Sequence, residues 1–510
     1  MSPARSGDSG RVPPARRAPG APVARSLWRH RPFVVLWLAR IVSVAGGMAS
    51  MVAVQWWVLQ ATGSAQWMAT TNAAVTLVMA LVGLPAGVLV DRVHRGRFFL
   101  LLELGRGIVM AALAALLLGG HATLPAVMAL LALDAAGLAL FMPLNSAIWP
   151  ELVPAHQLAA ANGLVATGES VGRIVGPAVG GLLATRHPGW AALTDAVSYA
   201  VSALALVAAG ALGWAAPGSP AGAAGRTPRA GIRAESGGPG TAPAGTAAET
   251  AAQAAGEAPK PAAGPRAGFA VQFRQGMAAV VGRPDLGPFF LLVSALNLAF
   301  SMAFVLIPVV VEEVLQGGPQ TLGWVQAAFA LGAIAGGLWA GSGRIPRRAT
   351  AWFRMLSVQA LLGAALGSSR WLLLSLAVAW TFGLLNALVN VAVSTLLQES
   401  VEPGLRGRVF GLLFTVAMIL QPLGQMTGGI LADRMPVAWV FAISSLLVVT
   451  SLVVAWWRAP SLRSFLDRLP APAAVAAPGT GPGTGGDGLP AGGGPAPSPA
   501  PAPPGREVNP

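Results

Sequence analysis

Long apolar stretches, each broken by a short polar or glycine-rich interval, run through the chain from residue 33 to residue 457. Crossing a bilayer takes about 17–25 residues of helix, longer if the helix tilts. Segments of that kind fall at 33–59, 66–90, 98–119, 123–146, 158–184 and 189–211. Six more fall at 287–313, 320–341, 349–368, 371–397, 408–432 and 436–457. The pattern predicts an all-α membrane protein of twelve transmembrane helices in two sets of six, since a helix satisfies its own backbone polar groups in lipid. Residues 213–267 are rich in Ala, Gly, Pro and Thr and lack apolar periodicity, as does the tail 470–510; both read as disordered. The plan is a basic tail (1–32), a six-helix bundle (33–212), a linker (213–283), a second bundle (284–458) and a Pro/Ala/Gly-rich disordered tail (459–510). Within the linker, residues 268–283 are expected to form an interfacial amphipathic helix.

The two sets resemble each other. Residues 151–186 align with 399–434 without a gap, so that Gly163 falls on Gly411, Gly176 on Gly424, Gly180 on Gly428, Gly181 on Gly429 and Arg186 on Arg434. The fifth and eleventh helices read as copies of one unit. Parallel repeats of this kind belong to transporters, with a substrate site between the halves near the bilayer midplane.

Composition agrees: 54% of residues are hydrophobic and 10% charged, against about 25% charged in soluble domains. The absence of cysteine excludes disulfides, thiol catalysis and thiolate metal sites. The net charge of +14 is not read as a nucleic-acid signal, because the arginines cluster in tails and inter-span loops. With the N-terminus inside, Arg92, Arg95, Arg97, Arg344, Arg347, Arg348, Arg406 and Arg408 are cytoplasmic, and only Arg186, Arg370 and Arg434 are external. This bias puts both termini in the cytoplasm of a multi-pass plasma or inner-membrane protein.

Between spans two and three lies "GVLVDRVHRGRFF", residues 87–99. Alone, an acid followed by arginines at a helix end is an ordinary solvated loop. In this position it resembles the G-x-L-a-D-r-x-G-r-r loop of the major facilitator superfamily. Gly87, Leu89, Asp91, Arg92 and Arg95 fall on that pattern, His94 replaces its second glycine, and Gly96 and Arg97 follow. The resemblance implies a conformational latch in which Asp91 bridges the seam between halves, supported by Arg92, Arg95 and Arg97. "NGLVATGESVGRIVGPAVGG", residues 162–181, resembles the same family's antiporter motif on helix five, through Gly163, Gly172, Gly176, Pro177, Gly180 and Gly181. Gly168, Gly172, Gly176 and Gly180 also make a bare stripe that lets another helix approach closely, which is equally what ordinary tight packing requires. Pro177 is expected to bend the helix. Over residues 27–460 the chain is similar to the twelve-helix drug:proton antiporter branch, which includes macrolide-efflux and enterobactin-exporter-like proteins. The resemblance implies alternating access around a cavity lined by spans 1, 2, 4, 5, 7, 8, 10 and 11.

A charge at mid-helix costs roughly 2.5–3.5 kcal/mol on insertion scales, so such residues pair or serve a pathway. Asp134 and Glu169 lie near the middle of spans four and five, with Arg40 on span one and Arg173 four residues beyond Glu169. Glu169 with Arg173 and Glu103 with Arg106 are spaced to pair along their own helices. Asp134 has no such partner, which makes it the leading proton-carrying candidate, followed by Glu169; Arg173 and Arg40 complete the coupling set. Asp195, Glu312 and Glu313 stand near helix ends and read as interfacial. Gln55, Asn72, Asn297, Asn386 and Asn390 are candidates for lining the substrate cavity, though an inward amide equally cements helix packing.

The expectation is a proton-coupled exporter of a hydrophobic or amphiphilic small molecule (drug, macrolide or siderophore), with sodium as the alternative coupling ion. A monomer in the lipid bilayer is expected, with no catalytic residues, cofactor, metal site or nucleic-acid partner. No HExxH or GxxxxGK[ST] occurs and there is no GxSxG elbow, the one G-x-S-x-G spacing (168–172) falling inside an apolar span, which argues against membrane enzymes and ATP-driven pumping. A lipid or siderophore exporter without coupling, and a non-transporting scaffold or sensor with this fold, are the alternatives.

Overall fold

The computed structural model describes residues 27–90, 93–211, 277–278, 280, 283–342, 349–401 and 403–467. Asp91, Arg92, Arg344, Arg347, Arg348, the segment 213–267 and nearly all of the expected interfacial helix lie outside these residues, as do the side chains of Arg406 and Arg408. The described residues form twelve long helical stretches. They are α1 (Arg31–Thr62), α2 (Ala65–Val90), α3 (Arg95–Leu118), α4 (Leu124–Leu152), α5 (Leu158–Arg186), α6 (Pro188–Ala211), α7 (from Leu286), α8 (Pro319–Gly341), α9 (Ala349–Ser368), α10 (Leu372–Ser400), α11 (Pro403–Ala432) and α12 (Val437–Arg458). Ten are long and apolar enough to cross a membrane; α5 and α11 are not among them. These two are the repeat-related pair, and Gly172, Gly176 and Gly180 of α5 and Gly424, Gly428 and Gly429 of α11 lie against other helices.

Two elements differ from the expected plan. Helix α7 is not one regular span: Leu286–Phe304 is followed by a short turn at Ile307–Val309 and a π-helical turn at Val310–Val314. Pro308 sits at this break, where it withholds a backbone donor. The chain after residue 458 does not become disordered at once. Pro460–Leu466 forms a further helix, α13, whose Leu462, Phe465 and Leu466 are buried in the second-half core. Its Asp467 accepts a 2.7 Å hydrogen bond from the backbone N–H of Ala349 at the start of α9.

Packing repeats between the halves. In the first, α1 packs on α5 and α6, α3 on α6, and α2 on α4; in the second, α7 packs on α11 and α12, α9 on α12, and α8 on α10. The halves meet chiefly through α5 with α8 and α2 with α11. The glycines shared by α5 and α11 explain why. Gly176 and Gly180 lie against α1 backbone at Ala45 and Ala49, and their counterparts Gly424 and Gly428 lie against α7 backbone at Leu298 and Met302. Gly181 meets α8 at Pro319 and Gly323, and its counterpart Gly429 meets α2 at Ala65 and Ala69. Each pair therefore does the same work twice: two glycines seat the first helix of their own half, and the third seats a helix of the other half.

Burial is unequal along the bundle axis. At the end bearing Leu27 and Leu466, here the tail end, one core is built from residues 27–209 and a separate one from residues 280–466. At the far end a shared core joins Val54, Val58 and Met68 to Met302, Leu306 and Val310. A second shared cluster there joins Val52 to Val311 and Leu322.

Candidate functional site: a charge network in the first half

The first half encloses ionic side chains from five helices. Arg40 on α1 donates to Glu169 on α5 at 2.7 Å. Arg173, one turn along α5, stands 4.0 Å from the same carboxylate with its side chain 57% exposed. The pairing expected within α5 is thus secondary, and the cation that holds Glu169 comes from α1. The approach is possible because Gly168 and Gly172 lie against Trp37, Ile41 and Val44 of α1, where a Cβ would not fit.

A second pair lies deeper. Arg106 on α3 meets Asp134 on α4 through two bonds, Nε to Oδ1 at 2.9 Å and a terminal nitrogen to Oδ2 at 3.2 Å. Asp134 lacks a partner only on its own helix. The Arg106 guanidinium also stacks 4.5 Å above the ring of Tyr199 on α6 and faces Phe141 on α4 at 5.9 Å, while Arg40 approaches Phe141 at 5.3 Å. Phe141 thus links the two ion pairs, and guanidinium–ring attraction strengthens as water is removed. Gly137 and Gly107 leave the room that Arg106 and Tyr199 occupy.

Two further acids complete the cluster. Glu103, expected to pair with Arg106, is 1% exposed, and neither carboxylate oxygen has a hydrogen-bond partner. Arg106 has been taken by Asp134. Asp195, expected at an interface, is 2% exposed and faces the Ser198 hydroxyl at 3.3 Å; α1 covers it because Gly46 and Gly47 bring that helix close. Tyr199 and Phe141 had not been singled out in the sequence. One signal was available: Tyr199 is the chain's single tyrosine and lies inside an apolar span.

The expected cavity amides are paired locally. Gln55 on α1 donates to Asn72 on α2 at 3.0 Å, Asn297 donates to Val293 O at 3.0 Å, and Asn390 donates to the Asn386 side chain at 3.0 Å and remains exposed. At the loop after α2, Arg95 pairs with Glu151 of α4 at 3.3 Å. His94 precedes α3 with φ −72° and ψ 103°, an extended conformation open to any residue, so the turn does not demand the family's glycine there. Gly87 and Gly163 have open space around them, and α5 runs unbroken through Pro177. At the far end, Asp433 after α11 accepts hydrogen bonds from Ser64 Oγ at 2.5 Å and from the backbone N–H of Ala65 at 2.7 Å and of Gln66 at 3.3 Å. Gln60 donates to Glu312 at 2.6 Å beside it.

The sequence over residues 36–424 matches the family model described as Major Facilitator Superfamily. The chain belongs to this superfamily. As a member it is a multi-span helical membrane transporter. It is 27% identical to "Macrolide efflux protein A" of Streptococcus pyogenes over 438 residues, covering 84% of this chain and 95% of that protein. It is 28% identical to "Multidrug efflux pump Tap" of Mycobacterium tuberculosis strain H37Rv over 450 residues, covering 86% and 96% respectively. Among solved structures, a bacterial homolog of the human lysosomal transporter Spinster, inward-facing and unoccupied, superposes with TM-score 0.57 at 16% identity, over 88% of this chain and 98% of that one. The nucleoside transporter NupG superposes with TM-score 0.56 at 11% identity, over 83% and 98%. These likenesses concern the fold.

Proposed function

We propose that the protein is a proton-coupled exporter of a hydrophobic or amphiphilic small molecule, working by alternating access in the plasma or inner membrane. The observation that carries this reading is the asymmetry of the charge network. Glu169 and Arg173 of α5 are replaced in α11 by Ala417 and Gln421, so an architecture shared by both halves carries its ionic groups in one. A buried charged network costs stability, and coupling is a reason to keep it. The low identity to proteins named as macrolide and multidrug efflux pumps supports the substrate class. The arginine bias supports placing the tail end in the cytoplasm. Separate cores there and a shared core at the far end then correspond to an inward-open state, with substrate entering between the halves. The Asp91–Arg92 loop is assigned to the opposite, outward-open state as its latch.

Efflux from vesicles with an imposed pH gradient tests the coupling. Gradient-driven efflux is expected in the wild type and is expected to fall sharply in Asp134→Asn and Glu169→Gln; full activity in both variants overturns the network's role. For the latch, Asp91→Asn is expected to lower turnover with little change in substrate binding.

A further inference from the structure

The ion pairs consume both enclosed arginines: Arg40 is held by Glu169 and Arg106 by Asp134. Four acids (Glu103, Asp134, Glu169, Asp195) share the interior, so two have no cation of their own. Of these, Asp195 has the Ser198 hydroxyl. Glu103 has no cation and no donor at hydrogen-bonding distance, with only the Ser202 hydroxyl recorded as facing it, although native buried polar groups are nearly always paired. A carboxyl without a partner can change its charge state without breaking an ion pair, which Asp134 and Glu169 cannot do.

Between α1, α3, α4 and α6 is a small cavity of about 20 Å³, room for about one water by that measure. Its lining is mixed: Arg40, Ser43, Asn145 and Ser202 are polar, and Trp149 and Phe99 close it. Phe99 lies one turn before Glu103 on α3, and the two share a helix face. The Trp149 indole N–H is buried with no acceptor. The cavity lining thus includes the residue of an orphan donor, Trp149, and Ser202, the neighbour of the orphan acid Glu103. A water in that space would lie within reach of Arg40, Trp149 and Ser202, and Ser202 faces Glu103 from α6.

From this geometry we infer that Glu103 is the carboxyl that takes up and releases the transported proton, reached through a water held by Arg40, Trp149 and Ser202. The step is a simple transfer: an O–H bond forms on a Glu103 carboxylate oxygen as an O–H bond of the protonated water breaks, and the water is regenerated. Release into the other access state reverses it. The groups facing Glu103 make its charge matter to the whole network: Arg106 on its own helix, Arg40 from α1, Asp134 from α4, and Asp195, Tyr199 and Ser202 from α6. Ionised Glu103 competes with Asp134 for Arg106, and neutral Glu103 leaves that pair intact. Proton uptake would thereby reset the pairs that join α1, α3, α4 and α5.

This inference rests on the proton-coupled reading, and two measurements separate them. Infrared difference spectra of the full chain in lipid vesicles, between acid and alkaline pH, are expected to contain a carboxylic C=O band that Glu103→Gln removes. A band unchanged by that substitution, or no such band in the wild type, overturns the assignment. In the same vesicles loaded with radiolabelled erythromycin, Glu103→Gln is expected to lose gradient-driven efflux while retaining downhill exchange, which also shows that it is folded. Gradient-driven efflux that survives in Glu103→Gln overturns Glu103 alone. Wild-type efflux that ignores the gradient overturns the coupling and this inference with it.

Discussion

Arg40 and Glu169, 129 positions apart in the chain, form a 2.7 Å ion pair that ties α1 to α5 inside the first half. Both side chains are largely enclosed, with exposures of 14% and 22%. Removing one partner of such a pair leaves an uncompensated charge and costs about 3 kcal/mol. Glu169→Gln and Arg40→Met are each expected to lower the thermal unfolding temperature in detergent. The double variant is expected to recover much of the loss. Equal unfolding temperatures for wild type and single variants would mean that the pair contributes nothing to stability.

The glycines of the α5 motif are not equivalent. A Cβ at Gly180 would meet the backbone of Ala49, which cannot yield without moving α1, whereas one at Gly163 meets open space. Gly180→Ala is expected to destabilise by about 3 kcal/mol, the upper end of ordinary overpacking, and to lower the yield of folded protein. Gly163→Ala is expected to stabilise by up to about 1 kcal/mol through helix propensity. Comparable stability of the two variants would show that the close approach of α1 and α5 is not needed.

Asp433 caps the first turn of α2 from the other half, so this contact must break whenever the far end opens. Replacing a capping acid by alanine costs about 1 kcal/mol, which shifts a two-state population about fivefold. Because the chain has no cysteine, a single Gln66→Cys reports access cleanly. Adding Asp433→Ala is expected to speed its modification by a membrane-impermeant thiol reagent several-fold. An unchanged rate would remove Asp433 from the gate.

Tyr199 meets the ionic network in two ways, through its ring at 4.5 Å from Arg106 and its hydroxyl at 3.5 Å from Asp134. The hydroxyl contact is long for a hydrogen bond; the ring contact is desolvated, where cation–π attraction reaches about 2 kcal/mol. Tyr199→Phe is therefore expected to unfold close to the wild-type temperature and Tyr199→Leu well below it. The reverse order would assign the contribution to the hydroxyl.

Much of the architecture was legible before any coordinates. Twelve apolar runs became twelve helical stretches because spanning length and hydropathy are local properties of the chain. The 151–186 and 399–434 repeat was equally legible, and the roles of Gly176, Gly180 and Gly181 recur in their counterparts. Helix α13 is not legible in the sequence because seven residues are too short to show an apolar period; only the second-half core gives Phe465 and Leu466 a place to be buried.

The ionic pairs follow a different rule. From sequence, partners can be proposed only where spacing brings residues together on one helix, and this favoured Glu103–Arg106 and Glu169–Arg173. A buried charge, however, takes the partner with the better geometry, and helix packing offered each cation an acid from another helix. Arg106 turned to Asp134 and Arg40 to Glu169, which left Glu103 without an ionic partner. The sequence by itself determined which charges and glycines the membrane interior holds, because composition and period decide what inserts. Only the tertiary structure decided which of those charges neutralise each other, because that depends on distances between helices that are remote in the chain.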